Sequence, residues 1–285
     1  MEFGVSLFMT DRTVGPVEFA RAVEERGFDS LYVPEHTHIP TSRLTPPPTG
    51  EDELDEAYRR TLDPFVALAA MAAVTERVRL GTGISVVAQR EPIVTAKAAA
   101  TLDLISGGRF DLGVGYGWNA DEIAHHGVAM AERREILREH VLAMQALWRD
   151  EEAEFHGRHV DFGPSWSWPK PATTGGVPVL VGGAAGPTLF EHVAEFGAGW
   201  MPFGGAGIGA ALPRLAEECD KRGRSVSDLR IVVFGVVPDP PAKLDHYAEI
   251  GVTEVVLGIP AGDSAEVTAT LERFADAVNR HRGVA

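Results

Sequence analysis

The sequence predicts a closed (β/α)8 barrel, and three observations carry that prediction. A unit of amphipathic helix, glycine and short apolar run recurs along the 285 residues. Eight such runs alternate with helical stretches. Two irregular insertions interrupt the rhythm where a barrel would place loops around a site.

The unit is read directly from the residues. Glu24-Glu25-Arg26-Gly27 precedes Leu31-Tyr32-Val33, and Glu195-Phe196-Gly197 precedes Gly199-Trp200-Met201. Lys221-Arg222-Gly223 precedes Ile231-Val232-Val233-Phe234, and Glu249-Ile250-Gly251 precedes Val255-Val256-Leu257. Ser106-Gly107-Gly108 precedes Phe110-Asp111-Leu112. A glycine just past a helix accepts the left-handed conformation that closes the last turn, so each marks a helix stop. The runs that follow are short and apolar, as strands covered on both faces should be. With the less clearly punctuated ones added, strands are expected at 3–8, 30–34, 78–83, 110–114, 177–181, 199–202, 229–236 and 254–259. Within 133–148, Leu137, Val141, Met144 and Trp148 form a helical stripe opposite Arg134, Glu135, Arg138 and Glu139. Barrels of this kind commonly use about 250 residues, so one domain over 1–285 is expected.

The first insertion, 35–63, follows the second strand and carries Pro46-Pro47-Pro48 and the acids Glu51, Asp52, Glu53, Asp55 and Glu56. Long loops of this kind form lids or mobile segments. The second, 151–174, has no helix signals and precedes the fifth strand. Phe155-His156-Gly157-Arg158-His159-Val160 reads as a small hairpin turning at Gly157, followed by Pro164, Trp166, Trp168 and Pro169. The two insertions are expected to bracket a pocket.

Composition narrows the function classes. Hydrophobic residues make up 45% and charged residues 24%, the balance of a soluble globular protein. A net charge of −15 offers no basic footprint for displacing counterions from phosphates, which argues against a nucleic-acid partner. The single cysteine, Cys219, excludes an intramolecular disulfide and any cysteine-built metal site. Met1-Glu2-Phe3-Gly4 lacks the basic start of a signal peptide, and the longest apolar run, 64–74, is far short of a bilayer span. A cytoplasmic protein without a membrane partner is expected.

Chemistry is sought at the strand ends. The second strand ends in Val33-Pro34-Glu35-His36-Thr37-His38, where an imidazole can give or take a proton near neutral pH. His36 and His38 also suit a metal, but the fifth and sixth strand tips supply no further ligands, so no metal is expected. A loop histidine satisfied by backbone is the plainer alternative. His125 and His126 are read as a helix face or turn and given no role. The fourth strand ends in Gly113-Val114-Gly115-Tyr116-Gly117-Trp118, which fails the G-x-G-x-x-G pattern at Trp118 yet lets a flat ring approach the backbone. The fifth runs into Gly182-Gly183-Ala184-Ala185-Gly186-Pro187-Thr188, where small residues precede a helix start suited to an anion. The turn Gly258-Ile259-Pro260-Ala261-Gly262-Asp263-Ser264 is the rival anion site, disfavoured because Asp263 would repel the ligand.

The run Thr101-Leu102-Asp103-Leu104-Ile105-Ser106-Gly107-Gly108-Arg109-Phe110-Asp111-Leu112-Gly113-Val114-Gly115 resembles the central signature of the bacterial luciferase-like superfamily. Tyr116-Gly117-Trp118 with Glu122, Glu35-His36, Gly81-Thr82-Gly83-Ile84, Gly182-Gly183 and Gly199-Trp200-Met201-Pro202 extend the resemblance over nearly the whole chain. It is closest to the branch that uses the deazaflavin coenzyme F-420. The resemblance implies a (β/α)8 barrel, often a homodimer, that binds F-420 or, alternatively, FMN. It implies a ring resting on a bulge at Gly83, Ile84 and Ser85, often with a non-proline cis peptide. Gly115, Tyr116, Gly117 and Trp118 would wall the ring or its linker, and Gly182, Gly183, Ala184 and Ala185 would hold the phosphate. Glu35 and His36 would be catalytic, His36 aligning with the proton-handling residue of related sugar-phosphate dehydrogenases. Those enzymes place a carboxylate where Trp118 stands, which suggests a more apolar pocket for a small organic substrate. The implied activity is hydride transfer with F-420. The alternatives are an FMN-dependent monooxygenase fed by a separate reductase, and a non-catalytic flavin carrier.

Overall fold

Proline and glycine punctuate the helices. Helices α1 (Pro16–Glu25), α2 (Pro64–Ala72) and α3 (Pro92–Ser106) each begin on a proline, whose missing N–H has no partner to lose in a first turn. Helix α3 closes on Gly107, left-handed at φ 69°. Helices α4 (Ala120–His125) and α5 (Arg133–Arg149) follow, then α6 (Pro187–Phe196), α7 (Ile208–Asp220), α8 (Ala242–Glu249) and α9 (Ser264–Arg282). The computed structural model describes residues 1–46, 50, 53–238 and 242–283, so Pro47, Pro48, Glu51 and Asp52 of the expected lid lie outside the described residues.

The barrel strands are β1 (Glu2–Leu7), β2 (Ser30–Val33), β3 (Arg79–Thr82) and β4 (Phe110–Gly115). After the antiparallel pair β5 (Ala153–His156) and β6 (Asp161–Ser165) come β7 (Val179–Gly182), β8 (Gly199–Met201), β9 (Arg230–Val236) and β10 (Glu254–Ile259). Eight parallel strands close in the order β1-β10-β9-β8-β7-β4-β3-β2, with β1 pairing both β2 and β10. This is the predicted barrel, its strands within two residues of the expected positions, and β5–β6 is the predicted hairpin before the fifth barrel strand. The helix stripe of α5 is buried at Leu137, Val141, Met144 and Trp148 as read, although Glu139, placed on the polar side, is also buried. Its carboxylate accepts from the backbone N–H groups of Arg158, His159 and Val160 and so holds the hairpin turn against α5.

The barrel interior is divided between charge and oil. At the N-terminal ends of the strands, Arg230 donates to Asp111 at 2.7 and 2.8 Å and to Glu254 at 2.8 Å. Arg79 donates to Glu254 at 2.7 Å and to Glu2 at 2.6 Å. Ser30 and Tyr32 also donate to Glu254, whose side chain is fully buried. Burial alone would lower both guanidinium pKa values, but the surrounding carboxylates override it and hold them above the ordinary arginine range. Gly4 makes this possible, since a Cβ there would sit 2.1 Å from Ser30 Oγ. Toward the C-terminal ends the filling turns apolar, with Tyr32, Leu180, Met201, Val232, Phe234 and Val256 in one cluster. The charged layer fills the N-terminal end, and barrels of this kind take their ligands at the C-terminal mouth.

Candidate active site

Two neighbouring residues at the end of β2 are turned to different tasks. Glu35 is 4% exposed, and both its oxygens are engaged. Oε2 accepts from Ser85 Oγ at 2.6 Å and from the Val86 N–H at 2.9 Å; Oε1 accepts from Arg90 Nε at 2.5 Å. Arg90 reaches on to Asp63 at 2.7 Å and lies over the Phe65 ring. These contacts show the Glu35 carboxylate anchoring the segment after β3, a positioning part beside the catalytic one expected of it.

That segment contains the Gly83–Ile84 cis peptide. Its backbone is tied on three sides, from Gly83 N to Val33 O, Ser85 N to Gly113 O and Glu35 N to Ile84 O. The side chain of Ile84 fills the space beside two glycines that the sequence offers to a ring. A Cβ on Gly115 would stand 2.6 Å from Ile84 Cδ1, and one on Gly182 would stand 2.8 Å from its Cγ2. Ile84, half-buried at the mouth, thus occupies the space next to the backbone at both Gly115 and Gly182.

His36 turns the other way. Its Nδ1 lies 2.7 Å from Glu122 Oε2 on α4, and the two side chains are 8% and 2% exposed. A carboxylate oxygen accepts, so Nδ1 carries the hydrogen, and in the neutral ring Nε2 presents its lone pair. Tyr58 and Trp118 stand against the imidazole at centroid distances of 5.1 and 5.8 Å, with Arg43 over the Trp118 ring. The plainer reading of His36 as a backbone-satisfied loop residue does not hold, because its ring partner is a buried carboxylate. His38 diverges from His36 and meets His125 instead, Nε2 to Nδ1 at 2.9 Å, while His126 Nε2 lies 2.7 Å from Thr37 Oγ1. Among the described residues no group of three or more histidine, cysteine, aspartate or glutamate side chains could hold a metal ion.

Tyr116 and Trp118 do not form one wall. Gly117, at φ 73°, turns the chain between them. Trp118 joins His36, whereas Tyr116 points to α6, where its hydroxyl lies 3.0 Å from His192 Nδ1. Burial pushes His192 down to about 4 and Tyr116 up to about 12, so both are neutral near pH 7. The start of α6 is the better of the two candidate anion sites. Its N-cap, Gly186, supplies no side-chain cap, and Ala184 and Ala185 are exposed. At α9 the Asp263 carboxylate already accepts from the N–H groups of Ala265 and Glu266, leaving that helix start capped by an anion of its own. Gly183 is corrected as a phosphate donor: its N–H goes to Met201 O and its carbonyl accepts from Trp200 Nε1, so the free amides begin at Ala184.

Sequence reasoning assigned no role to Glu122, Tyr58, His125 and His126, which the fold brings to His36 and His38. Only the closeness of Glu122 to Trp118 within the fourth-strand motif hinted at the first of these.

The chain is similar to several known proteins. An uncharacterized protein of Mycobacterium tuberculosis is 44% identical over 278 residues, covering 96% of this chain and 98% of that one. The F420-dependent glucose-6-phosphate dehydrogenase of Nocardia farcinica is 32% identical over 238 residues, 80% of this chain and 66% of that protein. The crystal structure of a monooxygenase from Streptomyces bottropensis shares the fold, with a TM-score of 0.77 at 23% identity over 99% of this chain and 100% of that one. The sequence profile of the family described as luciferase-like monooxygenase matches residues 1–239, from β1 through β9. The chain belongs to the luciferase-like monooxygenase family.

Proposed function

We propose that this protein is an oxidoreductase that binds coenzyme F-420 across the barrel mouth and moves hydride between it and a small organic substrate. The observation that carries the reading is the His36–Glu122 pair, a buried acid–base group whose Nε2 makes no other hydrogen bond among the described residues. The residues present fit the cofactor: an uncapped helix start with exposed alanines suits a phosphate, and half-buried Ile84 offers an apolar rest for a flat ring.

When bound, the deazaflavin supplies the hydride chemistry, which needs a proton handled alongside it. The chain's own residues do the rest. Glu122 holds His36 in the tautomer whose Nε2 takes a proton from an alcohol or returns one to a carbonyl. Trp118 and Tyr58 shield the imidazole from water and favour a substrate with an apolar body. Glu35 and Arg90 keep Ser85 and Val86, and hence Ile84, in place. The Ala184 and Ala185 amides meet the phosphate. The likeness to an F420-dependent dehydrogenase from Nocardia farcinica supports the choice of cofactor.

The test is titration of the purified protein with oxidised F-420, FMN and NADPH, followed by turnover assays over a panel of small alcohols and carbonyl compounds. Selective binding of F-420 with turnover is expected. Tight FMN binding with oxygen uptake dependent on reduced flavin would replace this reading with a monooxygenase. Binding without turnover on any substrate would leave a flavin carrier.

A further inference from the structure

Outward from His36 runs a series of polar contacts that ends at the surface. The Glu122 carboxylate, which takes His36 Nδ1 on Oε2, faces Thr37 with Oε1, at 3.2 Å from the backbone N and 3.5 Å from Oγ1. Thr37 Oγ1 is a junction, 2.7 Å from His126 Nε2 and 3.0 Å from His38 Nδ1. His38 Nε2 continues to His125 Nδ1 at 2.9 Å, the two rings stacked 5.2 Å apart at 13°. Burial falls along the series: His36 and Glu122 are enclosed, His38 is half-buried, and Thr37, His125 and His126 are exposed.

We infer that Glu122, Thr37, His38, His125 and His126 form a proton relay that connects His36 Nδ1 to bulk water behind the substrate. The inference rests on the acid–base reading of His36 and extends it, because a base enclosed under substrate and cofactor must exchange its proton by another door. Each transfer conserves protons. His36 passes its Nδ1 hydrogen to Glu122 Oε2 as Nε2 takes one from substrate. The carboxyl group turns to bring its protonated Oε2 to Thr37 Oγ1 and gives the hydrogen there, and the hydroxyl's own hydrogen moves on to His126 Nε2 or His38 Nδ1. One proton enters at His36 and one leaves from the surface imidazoles, and reduction of a carbonyl runs the same path inward. Burial, with His38 beside it, holds His126 below the usual imidazole range, so its Nε2 is free to accept. Three imidazoles stand at the exit, His38, His125 and His126, the last two exposed to solvent.

The relay is testable without knowing the substrate. An imidazole N–H held by a buried carboxylate gives a low-field proton resonance, assigned here by its loss in His36→Gln. Its exchange with water is measured by saturation transfer in the full-length protein. Thr37→Val is expected to slow exchange by about tenfold, Thr37→Ser to restore it, and the His38→Ala/His126→Ala double variant to slow it comparably. Unchanged exchange in Thr37→Val, or a Thr37→Ser protein as slow as the valine variant, would overturn the relay. Should Thr37→Val fail to fold, the surface double variant decides alone. A relay confirmed in this way, in a protein whose His36→Ala variant keeps full turnover, would instead overturn the catalytic reading of His36.

Discussion

Nδ1 of His36 lies 2.7 Å from Oε2 of Glu122, with 8% and 2% of the two side chains exposed. A contact this enclosed fixes both the orientation of the ring and the nitrogen that faces the mouth. His36→Ala is expected to lower turnover by about 10²–10⁴ with cofactor affinity retained, the usual range for a positioned acid–base group. Full activity in that variant would return His36 to a structural role. Glu122→Leu leaves the buried Nδ1 donor without an acceptor and is expected to cost about 1–3 kcal/mol in urea unfolding.

The His192–Tyr116 contact predicts an acid-sensitive fold. His192 titrates at about 4 in the folded chain because burial disfavours its charged form, against about 6.5 when unfolded. Above both values neither state is protonated and the residue contributes nothing. As pH falls from about 6.5 toward 4 the unfolded state alone binds the proton, so stability is lost at about 1.4 kcal/mol per unit at most. Denaturant unfolding at pH 7 and pH 5 should show this loss, and His192→Gln should reduce it. Equal slopes in the two proteins would place the acid sensitivity elsewhere.

The charged layer in the barrel predicts a large single-site effect. Glu254 accepts from Arg79, Arg230, Ser30 and Tyr32 with no exposure of its side chain. Glu254→Leu leaves two partly buried guanidinium groups short of a counter-charge and is expected to destabilise the fold by about 3 kcal/mol. A midpoint within experimental error of the wild type would show that Glu2 and Asp111 compensate.

The uncapped start of α6 predicts a phosphate-selective defect. Ala184→Asp puts a negative charge beside the amides and is expected to weaken phosphate-bearing cofactors by about 1–3 kcal/mol. A riboflavin-type analogue without phosphate should bind unchanged. Equal losses for both ligands would mean damage to the fold, and no loss for either would move the anion away from α6.

Much of the fold was legible because its signals are local. A strand of four to seven buried residues between a helix-stopping glycine and a turn is written in adjacent positions, as Lys221-Arg222-Gly223 before β9 shows. The position of His36 at a strand end was legible for the same reason. The partners of Glu35 were not legible, because Arg90 and Ser85 arrive from the segment after β3 while its neighbour His36 turns elsewhere. Gly115 read as room for a flat ring, since nothing near it in sequence announces that Ile84 reaches across to fill it.

By itself the sequence determined the barrel, the hairpin before β7, the place of His36 at the end of β2 and the acid that caps α9 where small residues precede α6. These follow from periodicity, backbone conformational limits and the sign of a charge, all of which act between neighbours. Only the tertiary structure decided that Glu122 orients His36 from 86 residues away and that His125 meets His38 across 87. Such pairings depend on closing the barrel, which brings the end of β2 and the start of α4 to one rim. No pattern along the chain encodes a distance across it.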